Sequence, residues 1–372
     1  MEAGDFQERV VGEIVNSLGV LNLYMGHKMR LFEKMNQAGG PVDAAELANR
    51  AETSERYMKE WLECCAVHGY IKREEDGKFS LPAGHATVLL DRDSPFYTAA
   101  HTCWLPSCAK VVTEGHLENA WRTGAGVEYK HYGEDCLEAI GDGNRPMYVN
   151  EYVSEWIPKL PEIEAKLKSG EGKVLDFACG IGHSAIELSK GFEKIQVDGY
   201  DIDIPSYQRA QKNLEGQSDD VKSKVAFHQN LEDAGIDDGT YDLVTLFECL
   251  HDLPHPKEVL QKCKALAKPD SGVIFIADER ICENLTEMTP TDPQGRVGSF
   301  SENEHNFLGR LNYSFSTLHC LPAVVAQSTT SAAIGTAIRP SQVEHYVKEA
   351  GFSTCEVVHE NDFFRFWKCK PQ

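Results

Sequence analysis

A chain of 372 residues is long enough for two or three domains, each with its own core, at roughly 100 to 200 residues per domain. Hydrophobic residues at 41% and charged residues at 26% exclude wholesale disorder and fibrous repeats. The 37 Lys and Arg stand against 58 Asp and Glu, a formal net charge of −21, which repels polyanions and makes nucleic acid and anionic membrane surfaces poor partners.

Twelve cysteines lie between Cys64 and Cys369 with no C-x-x-C and no repeating spacing. They read as reduced thiols behaving as small buried hydrophobes, in a cytosolic compartment, and offer no ready structural zinc site. Met1 to Arg9 contains no apolar h-region, and no apolar run reaches the 18 residues of a membrane span, so the expected location is cytoplasmic with no membrane partner.

Residues 1–95 read as a helical unit ending in a small β-element. An amphipathic stretch, Val10 to Gln37, is closed by Gly39-Gly40-Pro41. A short helix follows over Val42 to Ala48, and a second is capped by Thr53 or Ser54, with Tyr57, Trp61, Leu62, Cys65 and Ala66 on one face. Gly69 to Lys72 and Lys78 to Leu81 flank an acidic turn, completing a winged-helix pattern. DNA binding, the regulator reading of such a pattern, fits poorly with 11 basic against 16 acidic side chains over residues 1–95. A dimerisation and lid module fits better, because Val10, Val11, Ile14, Val15 and Leu18 can pack on a second copy to form a homodimer.

Residues 96–170 form an aromatic-rich connector expected to line a cleft, with Tyr129, Tyr132 and Trp156 as candidate substrate contacts; ordinary core filling is the competing reading. Strands and helices alternate from Lys173, so residues 171–372 are assigned an α/β, Rossmann-like sheet of seven strands with an antiparallel last strand. The strands are expected near 173–177, 195–200, 224–228, 241–247, 272–277, 353–358 and 363–368.

The strongest chemical signal is Val174-Leu175-Asp176-Phe177-Ala178-Cys179-Gly180-Ile181-Gly182-His183-Ser184-Ala185, a strand breaking into a small-residue loop that opens a helix. Glycine lets the backbone turn sharply and lets a nucleotide-like ligand lie against it. Asp201, 19 positions beyond Gly182, sits where a carboxylate reaches ribose hydroxyls. Gly180-x-Gly182-x-x-Ala185 also satisfies a loose dinucleotide fingerprint. Asp176 favours another ligand, because a carboxylate there suits the amino and sulfonium side of S-adenosylmethionine and would repel a pyrophosphate.

These residues resemble the class I S-adenosylmethionine-dependent methyltransferases, with Ala178 replacing the first glycine of the family loop. The resemblance implies cofactor contacts from Asp176, Ala178, Gly180, Gly182, Asp201, Ile202, Asn230, Leu231 and Phe247. Its post-strand motif is matched by Phe247-Glu248-Cys249-Leu250-His251-Asp252. His251, just past the fourth strand, is the candidate general base, with Asp252 or Glu248 to orient its ring; the alternative is that Asp252 caps the next helix and His251 is structural. His305, Arg310 and His319, from the segment between the fifth strand and the last pair, are further substrate candidates. No metal site is expected.

Beyond the sheet, Glu55 to Leu62, Gly69-Tyr70-Ile71, Arg122 to Val127 and Tyr313-Ser314 to Cys320-Leu321-Pro322 resemble two-domain methyltransferases with a winged helix in front. Within that group the chain resembles the bifunctional methyltransferase-oxidoreductases of gadusol biosynthesis. That resemblance implies oxidation of the cyclitol 2-epi-5-epi-valiolone with NAD and O-methylation of the product. The residues themselves show no second strand-glycine-helix unit for NAD, since Thr123-Gly124-Ala125-Gly126 follows no convincing strand. A monofunctional O-, N- or S-methyltransferase is the alternative.

Overall fold

The computed structural model describes residues 2–232, 235–290, 297 and 299–371. The chain forms two compact units, Met1–Lys110 with Tyr132–Asn150, and Val111–His131 with Glu151–Gln372. The expected connector 96–170 is therefore shared between them. Hydrogen bonding shows why: Ser107 Oγ donates to the carbonyl of Tyr132 within the first unit (3.0 Å), and the Val127 N–H donates to the carbonyl of Pro322 within the second (2.9 Å).

In the first unit the leading helix, α1, runs over Ala3–Lys28. The expected single stretch to Gln37 is broken at Arg30, whose φ of 55° ends it before a short helix Leu31–Gln37. Packing explains the break: a Cβ on Gly26 would stand 2.4 Å from the Phe32 ring and 2.7 Å from Trp61, so the bare glycine lets Phe32 fold back beneath α1. The helix Ala44–Ala51 is capped by Asp43, which accepts from the N–H of Glu46. Glu55–Val67 follows, with Ser54 at the cap position but no side-chain bond from it. The wing is β1 (Lys72–Arg73) paired antiparallel with β2 (Phe79–Ser80). Phe32, Leu47, Met58, Trp61, Leu62, Cys65 and Phe79 close this core, each apolar side chain contributing on the order of 1.5–3 kcal/mol by burial.

Two properties of this unit bear on partners. The basic residues of Glu55–Val67 are paired within the helix, Arg56 with Glu60 and Lys59 with Glu63. The first half of α1 exposes Phe6 (55%), Val11, Ile14, Val15 and Leu18 (56%).

The second unit holds β3 (Lys173–Phe177), β4 (Gln196–Tyr200), β5 (Val225–His228), β6 (Leu243–Phe247), β7 (Val273–Glu279), β8 (Thr354–Glu360) and β9 (Phe364–Lys370). They form one sheet in the order β5-β4-β3-β6-β7-β9-β8. The first five are parallel; β9 is antiparallel to β7 and to β8. Strands match the expected places within two residues, and the differences lie at their ends. The most consequential is β7, which continues past Ala277 through Asp278 and Glu279. Strand order reverses between β3 and β6, and the crevice outside the carboxyl ends at such a switch point is where open α/β sheets bind ligands. Among the described residues no helix is long and apolar enough to cross a membrane.

Replacing Gly26 by Ala should overpack the Phe32–Trp61 contact and lower unfolding stability by about 1–3 kcal/mol, read from the urea midpoint of the full chain.

Candidate active site

Three closely spaced turns shape the loop after β3. Ala178 (φ 58°), Gly180 (φ 53°) and Gly182 (φ 82°) all lie in the left-handed region. Gly182 is required by packing, since a Cβ there would sit 2.3 Å from Phe227. Gly180 is different: no atom lies within 4 Å of its Cβ position, so its side faces open space. Asp201 holds this shape, its Oδ2 accepting from the Gly180 N–H (2.8 Å) and its Oδ1 from the Asp203 N–H (2.9 Å). Each oxygen keeps a second lone pair for a ligand hydroxyl. Ile202, beside it, is 73% exposed. Asn230 accepts from the N–H of Glu232 through Oδ1 (2.9 Å), and Leu231 is buried.

Asp176 needs a correction. Instead of facing the ligand, its carboxylate is 3% exposed and turned inward, accepting from Ser184 Oγ and from Thr245 Oγ1 (2.8 Å). It ties the start of the helix His183–Gly191 to β6. Burial pushes both Asp176 and Asp201 up to about 6, against the pull of their hydrogen bonds.

Directly after β6 a single 3-10 turn, Leu250–Asp252, presents His251. The ring is 2% exposed. Its Nδ1 lies 2.6 Å from Asp278 Oδ1 and 3.1 Å from Glu279 Oε2, and its Nε2 3.5 Å from Asp252 Oδ1. Asp278 thus holds Nδ1, with Glu279 close beside it, neither of them singled out in the sequence. Glu248, expected to orient the ring, turns the backbone with φ 50° and places its N–H on the carbonyl of Ala277. Asp252 is not a helix cap, because that position for Pro256–Leu266 belongs to His255. Burial alone would lower the basicity of His251, but Asp278, Glu279 and Asp252 outweigh it and hold the imidazole charged well above its usual range. Of the two acids near Nδ1, Asp278 is lowered by the imidazole despite burial, and Glu279 is raised by burial.

The other wall comes from the helix Glu304–Phe315, which continues as a π turn, Ser316–Cys320, into Leu321–Gln327. Such π turns are frequent at functional sites. This one buries His319, whose pKa falls to about 4 through burial, leaving a neutral ring at pH 7. Its Nδ1 is 3.4 Å from Cys320 Sγ, and Tyr129 meets it edge-on with ring centroids 5.5 Å apart. Gly126 brings Tyr129 there: a Cβ would stand 2.4 Å from the backbone N of Ala326 and 2.5 Å from the carbonyl of Pro322. The Thr123–Gly126 segment therefore serves close packing on a helix, and its glycine does not fit a pyrophosphate cradle.

Of the six expected substrate contacts, Tyr129 and His319 are brought to this wall. Trp156 is core instead, its indole N–H on Glu151 (3.1 Å) and its ring against Phe247 and Phe366. Phe247 is itself buried among Tyr152, Trp156 and Phe275. Tyr132 is buried in the first unit. His305 and Arg310 lie on the exposed side of their helix, the Arg310 guanidinium 5.8 Å from the Phe307 ring. Two cavities, of about 680 Å³ beside Met25, Tyr57 and Trp61 and about 440 Å³ beside Asp242, Lys268 and Lys370, contain none of the site residues.

An open glycine turn, a carboxylate with lone pairs to spare and an exposed apolar Ile202 fit S-adenosylmethionine, whose ribose, adenine and methionine parts need those surfaces. Residues 148–308 match the methyltransferase domain family, and residues 16–91 match the Rv2258c-like winged HTH domain. The ubiquinone biosynthesis O-methyltransferase of Vibrio campbellii is 34% identical over 105 residues, covering 28% of this chain and 42% of that protein. Its counterpart from Bordetella pertussis is 36% identical over 118 residues, covering 32% and 47%; the chain thus spans less than half the length of these curated relatives. Among solved structures, human N-acetylserotonin methyltransferase in complex with SAM aligns with a TM-score of 0.65 at 16% identity, covering 100% of this chain and 99% of that one. An O-methyltransferase family protein from Burkholderia thailandensis aligns with a TM-score of 0.61 at 16% identity, covering 100% and 98%.

The buried carboxyl of Asp176 makes the loop sensitive to pH. A carboxyl whose folded pKa is raised adds stability fully present below its unfolded pKa, near 4, and lost as pH rises through 6. Asp176→Asn should remove that dependence, gaining on the wild type by up to roughly 3 kcal/mol between pH 4 and pH 8, measured by urea unfolding at both pH values. On this fold and these matches, the chain carries the class I S-adenosylmethionine-dependent methyltransferase fold with an N-terminal winged-helix domain.

Proposed function

We propose that this protein transfers a methyl group from S-adenosylmethionine to an oxygen of a small hydroxylated molecule, with His251 facing the acceptor. One observation carries the proposal: a buried imidazole held at Nδ1 by Asp278 stands at the switch point, in the turn that follows the strand next to β3 and its glycine loop. When bound, S-adenosylmethionine supplies an electrophilic methyl on a sulfonium. The chain's own residues hold the acceptor oxygen in line, exclude water and take its proton.

These roles fall to different groups. Asp278 fixes the ring so that Nε2 points away from β7, and it stabilises the imidazolium formed when the acceptor proton arrives. The carboxyl groups around His251 make it hold a proton more tightly, so that proton must leave before the ring serves as base, and a positive sulfonium nearby favours that loss. An acceptor that ionises easily asks less of it, because a charged imidazole then donates a hydrogen bond to the oxyanion.

This last point favours a second, narrower reading: a cyclitol-like acceptor whose oxidation yields an acidic enol, as the resemblance to gadusol biosynthesis implies, with NAD as hydride acceptor. Thr123–Gly126 does not fit NAD, so no step is assigned through it. The apolar first half of α1 supports a homodimer, and the internal pairing of Arg56 and Lys59 speaks against the DNA-binding regulator.

Calorimetric titration with S-adenosylhomocysteine tests the main reading. One saturable site is expected, weakened about 10- to 100-fold by Asp201→Ala through loss of charged hydrogen bonds; no heat would refute methyl transfer altogether. NAD titrated into the saturated complex then separates the two readings, since a second saturable heat supports the bifunctional one and its absence leaves a plain methyltransferase.

With an acceptor in hand, Asp278→Asn should lower kcat by about 10- to 1000-fold and move the acidic limb of the pH–rate profile to lower pH. The sign follows from removing a charge that raises His251. An unchanged limb would mean that Asp278 does not act through the imidazole.

A further inference from the structure

We propose that the protein has a zinc site made by His251 Nε2, Asp252 Oδ1 and Cys320 Sγ, and that zinc there blocks the imidazole; this second clause rests on the methyl-transfer reading above. The three donor atoms lie within 4.8 Å of one another, with Nε2 and Oδ1 3.5 Å apart. That separation is close to the edge of a tetrahedron around an ion bound at about 2.0–2.3 Å. One nitrogen, one sulfur and one oxygen are donors that zinc accepts together, and three protein ligands leave a fourth position open.

Two further observations point to a cation. Asp252 Oδ1 is buried without a hydrogen-bond partner, facing His251 Nε2 at 3.5 Å, so a ligand atom is already desolvated at the site. The opposite ring nitrogen is held by a carboxylate, Asp278, at 2.6 Å, the arrangement that orients a metal-bound imidazole and strengthens it as a ligand. Binding would release the thiol proton of Cys320 and any proton on Nε2, with no change of oxidation state.

The other His–Cys–carboxylate group, His27, Cys103 and Glu138 in the first unit, is less suited. Lys28 Nζ sits 2.9 Å from Glu138 and 2.8 Å from Asp135, so an ammonium already supplies the positive charge there. That contrast gives the experiment its control.

The full chain, stripped of metal with a chelator, is titrated with Co²⁺ and, against a chromophoric chelator, with Zn²⁺. One tight equivalent of Zn²⁺ and a near-ultraviolet thiolate-to-cobalt band are expected. Cys320→Ser should abolish the band and weaken Zn²⁺ by at least about tenfold, whereas Cys103→Ser should leave both intact. If Cys320→Ser does not fold, Asp252→Asn carries the same affinity test. Zn²⁺ should also slow methyl transfer in the wild type, with recovery on chelation, and should spare Cys320→Ser. A band that survives Cys320→Ser, or disappears in Cys103→Ser, would overturn the site, as would a wild type that binds no zinc. S-adenosylhomocysteine binding without metal is read separately: heat without the cobalt band rejects the zinc site alone, and the band without heat rejects methyl transfer alone, removing the inhibitory clause.

Discussion

The pair formed by His251 and Asp278 is the constraint to which the second unit is fitted. Both side chains are essentially out of water, where an unpaired charge costs several kcal/mol and a well-bonded pair is tolerated. Asp278 spends its oxygens on the ring nitrogen, the His251 N–H and the Glu279 N–H, so the imidazole is fixed by backbone as well as by side chain. Glu279, beside it, is raised because burial and the neighbouring Asp278 carboxylate both disfavour its charge. An imidazole held this firmly takes its orientation from β7 and not from a loop.

Sheet register carries that firmness to the glycine loop. Asp176 stands opposite Thr245 across β3 and β6, and Phe247 opposite Ala277 across β6 and β7. The carboxyl ends of three neighbouring strands are therefore aligned, and at those ends Ala178 and Glu248 turn the backbone while Asp278 grips the imidazole. Ala178 and Glu248 adopt positive φ without being glycine, conformations that cost of order 1–3 kcal/mol and cluster where function over-determines the backbone. Asp201 adds a cross-tie from β4 by gripping the Gly180 N–H. The open glycine turn and the placement of the imidazole are thus two consequences of one parallel register.

Most of the fold was legible in residue pattern, because buried parallel strands read as short apolar runs and the turn chemistry at Gly180 and Gly182 is local. What escaped was set by packing over distance. Ending the last parallel strand at Ala277 hid Asp278 and Glu279, since an acid after an apolar run looks like a turn until β9 is seen to pair with it through Arg365 and Phe364. Trp156 resembles a cleft residue because aromatics between domains often are; its indole N–H finds Glu151 and its ring fills the core. Thr123–Gly126 has the look of a nucleotide loop that fails, and only the approach of Ala326 and Pro322 explains why Gly126 is glycine. The signal available for it was negative: a glycine motif with no preceding strand must answer to something other than phosphate.

The π turn at Ser316–Cys320 sets the opposite wall against this frame. An ordinary helix would rotate each residue by about 100° and keep a constant face toward the sheet; one wider turn resets that face. Before it, His305 and Arg310 lie on the solvent side. Within it, His319 and Cys320 are buried, with Tyr129 edge-on to His319. Burial lowers His319 to a neutral ring while three carboxyl groups hold His251 charged, so two imidazoles in one site differ in protonation through environment alone. The same residue type is thus driven in opposite directions by its surroundings, a difference that residue type could not announce.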